Sequence, residues 1–98
     1  MNATPLSFAH DRLVVSDRVV ARPVSDATVL LNLDTGRSFM LDDVGARAWS
    51  VLMSSPSIQD AFDSLLAEYQ VEPDQLRTDL AALIVDLEAQ GLLEIRRG

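Results

Sequence analysis

The chain has 98 residues, 48% of them hydrophobic, and a formal net charge of −7. Apolar residues spread along so short a chain imply one globular domain with one core, and no apolar run approaches the roughly 18 residues of a membrane span. With no cysteine, no lysine and His10 as the one histidine, the chain lacks the groups for disulfides, thiolate or Schiff-base chemistry, phosphate-loop lysines and histidine metal clusters; a Ser-His-Asp triad would hang on a single residue near the N-terminus.

Residues 1–12 lack periodicity and begin with Asn2 to Pro5, which reads as a flexible N-terminal arm ahead of a single domain over residues 13–98. From Leu13 to Leu41 β signals dominate. Arg18 to Arg22 is short and β-branched, and Pro23 is expected to end it as a strand, with Leu13 to Val15 as an extension. Val24-Ser25-Asp26 is turn-like. Ala27 to Leu33 alternates, with Val29, Leu31 and Leu33 on one face and Thr28, Leu30 and Asn32 on the other. Asp34-Thr35-Gly36 predicts a tight hairpin in which glycine supplies a positive φ, and Arg37 to Leu41 is the returning strand.

At Asp42 the period changes. Asp42 or Asp43 caps a first helix whose stripe is Val44, Ala48, Val51 and Leu52, with Trp49 beside it; Ser54-Ser55-Pro56 ends it. Ser57, with Asp60 three residues on, opens a second helix that aligns Ile58, Phe62, Leu65, Leu66 and Tyr69. Pro73 and Asp74 suit the first turn of a third, with the stripe Leu76, Leu80, Leu83, Ile84 and Leu87, and Gly91 ends it. Leu92 to Ile95 adds a short strand or tail. The expected fold is α+β: a three-stranded antiparallel meander followed by a three-helix bundle, winged helix-turn-helix-like, with Trp49, Phe62 and Tyr69 in the core.

Two features bear on function. In such a meander the outer strands each leave one row of backbone groups unpaired, and Arg37-Ser38-Phe39-Met40-Leu41 carries no Pro or Lys to protect it. The charge is also uneven. Residues 1–41 hold four acids and four arginines, whereas residues 42–98 hold eleven acids against four arginines. That second half is expected to repel nucleic acid, and it forms either a solubilising surface or an acidic rim that steers a basic or neutral peptide.

The ordered set Leu30-Leu31-Asn32-Leu33-Asp34-Thr35-Gly36-Arg37, Leu41, Val44-Gly45-Ala46-Arg47-Ala48-Trp49, Tyr69, Val71, Asp79 and Gly91-Leu92-Leu93 resembles the PqqD-like family, the small recognition domains of peptide-modification pathways. The resemblance covers about Val29 to Leu93. It implies a non-catalytic domain, without a cofactor, that binds the leader of a ribosomally synthesised precursor peptide by β-strand addition. Such a domain presents the leader to a modifying enzyme or leader peptidase. Carried onto this chain, the leader adds to Arg37, Ser38, Phe39, Met40 and Leu41 and lies against Asp79, Ala82, Leu83 and Asp86 of the third helix. The Asp34 to Arg37 turn and the Gly45 to Trp49 helix start lean toward the lasso peptide type over a radical-enzyme pathway. This sequence departs from the family in having Leu41-Asp42 where Leu-Asn is usual, Ser55 where glycine is frequent, and Ser38 at an often aromatic position. A cytoplasmic location is expected, since Met1 to Phe8 has no basic start before an apolar stretch, and open strands allow a homodimer. Two alternatives stand beside this reading. One is an acidic carrier protein modified at Ser64 of Asp63-Ser64-Leu65; the other is a winged-helix DNA-binding protein.

Overall fold

The computed structural model describes residues 6–98. The element order is β1 (Arg12–Val14), β2 (Val19–Val24), β3 (Ala27–Asn32), β4 (Ser38–Leu41), α1 (Asp43–Ser54), α2 (Ile58–Glu68), α3 (Pro73–Ala89) and β5 (Glu94–Arg96). Strands β2, β3 and β4 form an antiparallel meander in that order, and β1 pairs antiparallel with β5 in a separate two-stranded sheet. The α+β class, with three strands followed by three helices, is the architecture expected from the sequence.

The local signals explain the element boundaries. Gly36 has φ of 76° and its N–H donates to the Asn32 carbonyl at 2.8 Å, closing the hairpin between β3 and β4. The Asp42 carboxylate accepts from the Gly45 N–H at 2.7 Å and caps α1. The Ser57 hydroxyl accepts from the Asp60 N–H at 3.0 Å and caps α2. Pro73 lies in the first turn of α3. At the other end of α3, the Gly91 N–H bonds the Glu88 carbonyl and the Leu92 N–H bonds the Leu87 carbonyl. With Gly91 at φ of 73°, this is the Schellman arrangement that sends the chain back toward β5.

Leu30 and Leu41 on one face of the meander pack with Ala48, Trp49, Val51 and Leu52 of α1, Ile58, Ala61, Phe62 and Leu65 of α2, and Leu80, Ile84 and Leu87 of α3. Asn32 is a buried polar residue in this layer. Its amide donates to the Gly91 carbonyl at 2.8 Å, and its carbonyl oxygen accepts from the N–H groups of Asp34 at 2.9 Å and Thr35 at 3.2 Å. One side chain therefore ties the β3–β4 turn to the end of α3.

Several expectations need correction. Pro23 does not end a strand: it lies inside β2, paired in register with Thr28. Leu13 does not extend β2 but belongs to β1, opposite Ile95. Leu33 falls outside β3 and Arg37 outside β4. The arm expected over residues 1–12 lies outside the described residues for residues 1–5. From Leu6 on it is tied down. Phe8 is buried, its carbonyl accepts from the Gln59 N–H at 3.0 Å, and its ring stacks tilted on Phe62 with centroids 5.8 Å apart. The Arg77 guanidinium sits over both rings, 4.8 Å from the Phe8 centroid and 4.7 Å from that of Phe62. Asp11 is buried; its carboxylate accepts from the Ser7 N–H at 2.8 Å and from Arg97 at 2.7 Å, tying together the two ends of the described chain. The Ser7 N–H, with smaller help from Arg97 and the Gly98 N–H, holds the Asp11 carboxyl below its usual value against the opposing effect of burial.

Candidate functional site

The two outer strands of the meander differ in what their free edges offer. In an antiparallel ladder alternate residues turn their backbone groups toward the partner strand and away from it. The Asn32 N–H donates to the Arg37 carbonyl at 2.9 Å, which sets the phase: Phe39 and Leu41 face β3, and Ser38 and Met40 direct N–H and C=O outward. On the opposite edge the Leu33 N–H donates to the Arg18 carbonyl at 2.8 Å, so Val20, Arg22 and Val24 face β3 while Ala21 and Pro23 face outward. Pro23 thus lacks an N–H where none is needed for the sheet, and it blunts the β2 edge. Among the described residues nothing pairs with the outer side of β4, where both donors remain.

An apolar groove of about 370 Å³ opens among the three helices and meets the end of β4 where Gly45 packs against Leu41. Val44, Gly45 and Ala48 of α1 form one wall, and Gln75, Leu76, Asp79, Leu80 and Leu83 of α3 the other; Leu65, Tyr69 and Val71 close the end. Gly45 is at a close approach: a Cβ there would meet the Asp42 carboxylate oxygen at 3.2 Å and the Leu41 Cβ at 3.4 Å. The rim is polar. The Gln75 amide donates to the Asp79 carboxylate at 2.8 Å. Arg47 bridges α1 to the end of α2 through bonds of 2.8–3.1 Å to the Glu68 carboxylate, which it holds below its usual pKa, while its own is raised.

The structure distributes the sequence-selected residues as follows. Ser38 and Met40 are exposed on the open edge, with Met40 at 67% exposure, whereas Phe39 is half-buried and Leu41 buried on the helix-covered face. Arg37 precedes the strand and donates to the Gln90 side chain at 3.3 Å. Asp79 and Leu83 line the groove; Ala82 and Asp86 are exposed on α3 outside its lining. Groove residues missed at the sequence level are Val44, Gly45, Ala48, Leu65, Tyr69, Val71, Gln75, Leu76 and Leu80. Tyr69, expected in the core, is half-buried at the groove's end, while Trp49 and Phe62 are core residues. Val44 and Val71, 55% and 43% exposed, are apolar side chains left open by the helix packing. Ser64 sits exposed within α2, away from its start at Ile58. Arg77, the one basic residue of α3, is occupied by the two phenylalanine rings.

The family model for coenzyme PQQ synthesis protein D (PqqD) matches residues 27–93, a span that runs from the start of β3 to just before β5. The chain belongs to the PqqD family. No curated protein matches it. Among solved structures, this PqqD-family domain is similar to TbiB1 in complex with the TbiA(beta) leader peptide. The two share 38% sequence identity with a TM-score of 0.75, over 83% of this chain and 94% of that one. The match to PqqD begins at the strand next to the open edge and includes all of β4, the groove and the Gly91 turn.

Proposed function

We propose that this PqqD-family domain binds the leader of a ribosomally made precursor peptide and presents it to a modifying enzyme or leader peptidase, without catalysing a reaction itself. The observation that carries the reading is the open β4 edge, left with both donors while the β2 edge is blunted by Pro23, together with an apolar groove that meets the end of β4 at Gly45 and Leu41. The similarity to TbiB1, a protein seen with a leader peptide, supports the same reading.

The energetics explain why edge and groove go together. Ser38 and Met40 offer four outward backbone groups, worth about 0.5–1.5 kcal/mol net for each hydrogen bond made. Ordering the peptide costs roughly 1–2 kcal/mol per residue, so hydrogen bonds alone do not hold four or five residues. Each large apolar side chain fully buried returns about 1.5–3 kcal/mol, and the groove is the place for it. In a strand added antiparallel to β4, side chains opposite Phe39 and Leu41 turn toward the helices, while those opposite Ser38 and Met40 turn to the other face. The acids in residues 42–98, Asp79 among them at the rim, favour a leader that is basic or neutral. The pathway we favour is of the lasso peptide type, in the cytoplasm.

The test is a calorimetric titration with synthetic leader and core halves of a short precursor sought among the reading frames neighbouring this chain's gene. The leader half is expected to bind with one-to-one stoichiometry and the core half not at all; binding of the core half alone would overturn the reading.

A further inference from the structure

The match to the PqqD family spans residues 27–93, so residues 6–14 and strand β5 lie outside it. Residues 6–14 are nonetheless firmly held. Phe8 buries its ring, 4% exposed, against Phe62 of α2, and the Arg77 guanidinium of α3 covers both rings. The Phe8 carbonyl accepts from the Gln59 N–H in the first turn of α2, where a helix offers no partner of its own for that donor. Three residues on, the Asp11 carboxylate binds the segment to Arg97 and the Gly98 N–H beyond β5. The segment is a strap, joined to α2 by a hydrogen bond and a ring contact and to α3 by a cation over two rings.

Strap and groove use the same helix pair. Phe62 stands three residues before Leu65; Arg77 stands next to Leu76 and three residues before Leu80. Leu65, Leu76 and Leu80 all line the groove, whereas Phe8, Phe62 and Arg77 do not. Leu65 and Leu80 are each 2% exposed, so a change in the spacing of α2 and α3 reaches the groove through close-packed side chains. Helix α3 also starts without a side-chain cap at Glu72. Packing rather than capping therefore has to fix its first turns, which carry Gln75, Leu76 and Asp79 to the groove wall.

We propose that Phe8 and Arg77 are positioning residues for the leader groove. The strap holds α3 against α2 from a face the groove does not use, and strap docking and leader binding stabilise each other. The inference rests on the leader-recognition reading above. Neither residue touches the peptide: their effect runs through the placement of α3. By reciprocity, the leader tightens the strap by the same factor as the docked strap tightens the leader.

The experiment uses the full chain and a synthetic leader half of a short precursor sought among the neighbouring reading frames. Arg77→Gln removes the cation from an exposed position at little cost in helix propensity, Arg77→Lys keeps a cation, and Phe8→Leu keeps an apolar side chain but removes the ring. Titrations run well below the melting temperature of each variant, where a loss of stability alone leaves affinity untouched. Arg77→Gln and Phe8→Leu are each expected to weaken leader binding by about 5-fold, and Arg77→Lys by less than about 2-fold. In wild type, leader is expected to slow hydrogen exchange of the Gln59 amide, the donor to Phe8, by a similar factor. Wild-type affinity in both Arg77→Gln and Phe8→Leu would overturn the proposal. So would tighter binding by Arg77→Gln, because losing a positive charge near an acidic rim favours a basic leader through charge alone. If wild type binds no leader, the recognition reading fails and the strap is judged in the free domain. Amide shifts in Phe8→Leu that reach Val44 and Val71 on the groove then uphold it, and shifts confined to the neighbours of Phe8 overturn it.

Discussion

Substituting proline at Met40 separates strand addition from every other way a peptide might lie on this domain. Met40 directs its N–H away from β3, so Met40→Pro deletes a donor from the free edge and none from the sheet's own ladder. The loss comprises one hydrogen bond, about 0.5–1.5 kcal/mol, plus the cost of leaving the leader's carbonyl unpaired, for a total of about 1–3 kcal/mol. That corresponds to leader binding weaker by roughly 5- to 150-fold. Met40→Ala keeps the N–H and removes the side chain, so it isolates the backbone contribution; it is expected to cost less than Met40→Pro. Phe39→Pro is the opposite control: its N–H faces β3, and losing that ladder bond is expected to destabilise the fold by about 1–3 kcal/mol, beyond the loss of the ring's packing. Anisotropy with a labelled leader peptide reads affinity, and thermal denaturation followed by circular dichroism reads the fold. Equal leader affinities for Met40→Pro and Met40→Ala, with both proteins folded, would rule out strand addition at β4.

Three further outcomes follow from individual side chains. Val44→Asp should weaken leader binding by about 1–2 kcal/mol by charging a groove wall while leaving the melting temperature unchanged or slightly raised, since an acid in the first turn of α1 opposes the helix dipole; titration and melting together check this. Asn32→Ala removes one donor and one doubly used acceptor that join the β3–β4 turn to Gly91, and should cost about 2–4 kcal/mol in urea unfolding. Asp11 has a lowered folded pKa, so its contribution is present above the unfolded carboxylate value near 4 and is lost as pH falls through the folded one. Melting temperature should therefore fall less between pH 5 and pH 3 in Asp11→Asn than in wild type.

What the sequence made legible was mostly local. Gly36, Asp42, Ser57, Pro73 and Gly91 each act within a few residues, through a positive φ, a cap or a fixed φ, and the helix and hairpin ends fall where those residues put them. Pairing across the chain was not legible. β1 and β5 are three residues each, paired across at least eighty positions, and too short for alternation to declare itself. Pro23 misled because a proline ends a strand only where its missing N–H would have faced a neighbour, and here that side faces solvent. The open edge could be read from the order of strands, since a three-stranded meander leaves its last strand open on one side. The groove could not. Leu76, Leu83 and Tyr69 share helical stripes with the core residues Ile84, Leu87 and Phe62, and periodicity alone does not tell a residue in the core from one on the wall of a trough beside it.

Backbone amide shifts of the isotopically labelled domain, followed through titration with the synthetic leader, report strand addition at β4 residue by residue. The largest changes are expected at Ser38 and Met40, whose N–H groups gain partners, with a second set along Leu76, Asp79 and Leu83. The amide of Ala21, on the blunted border, should stay put. Shifts concentrated on the β2 side, or confined to the helices with Ser38 and Met40 silent, would contradict strand addition at β4.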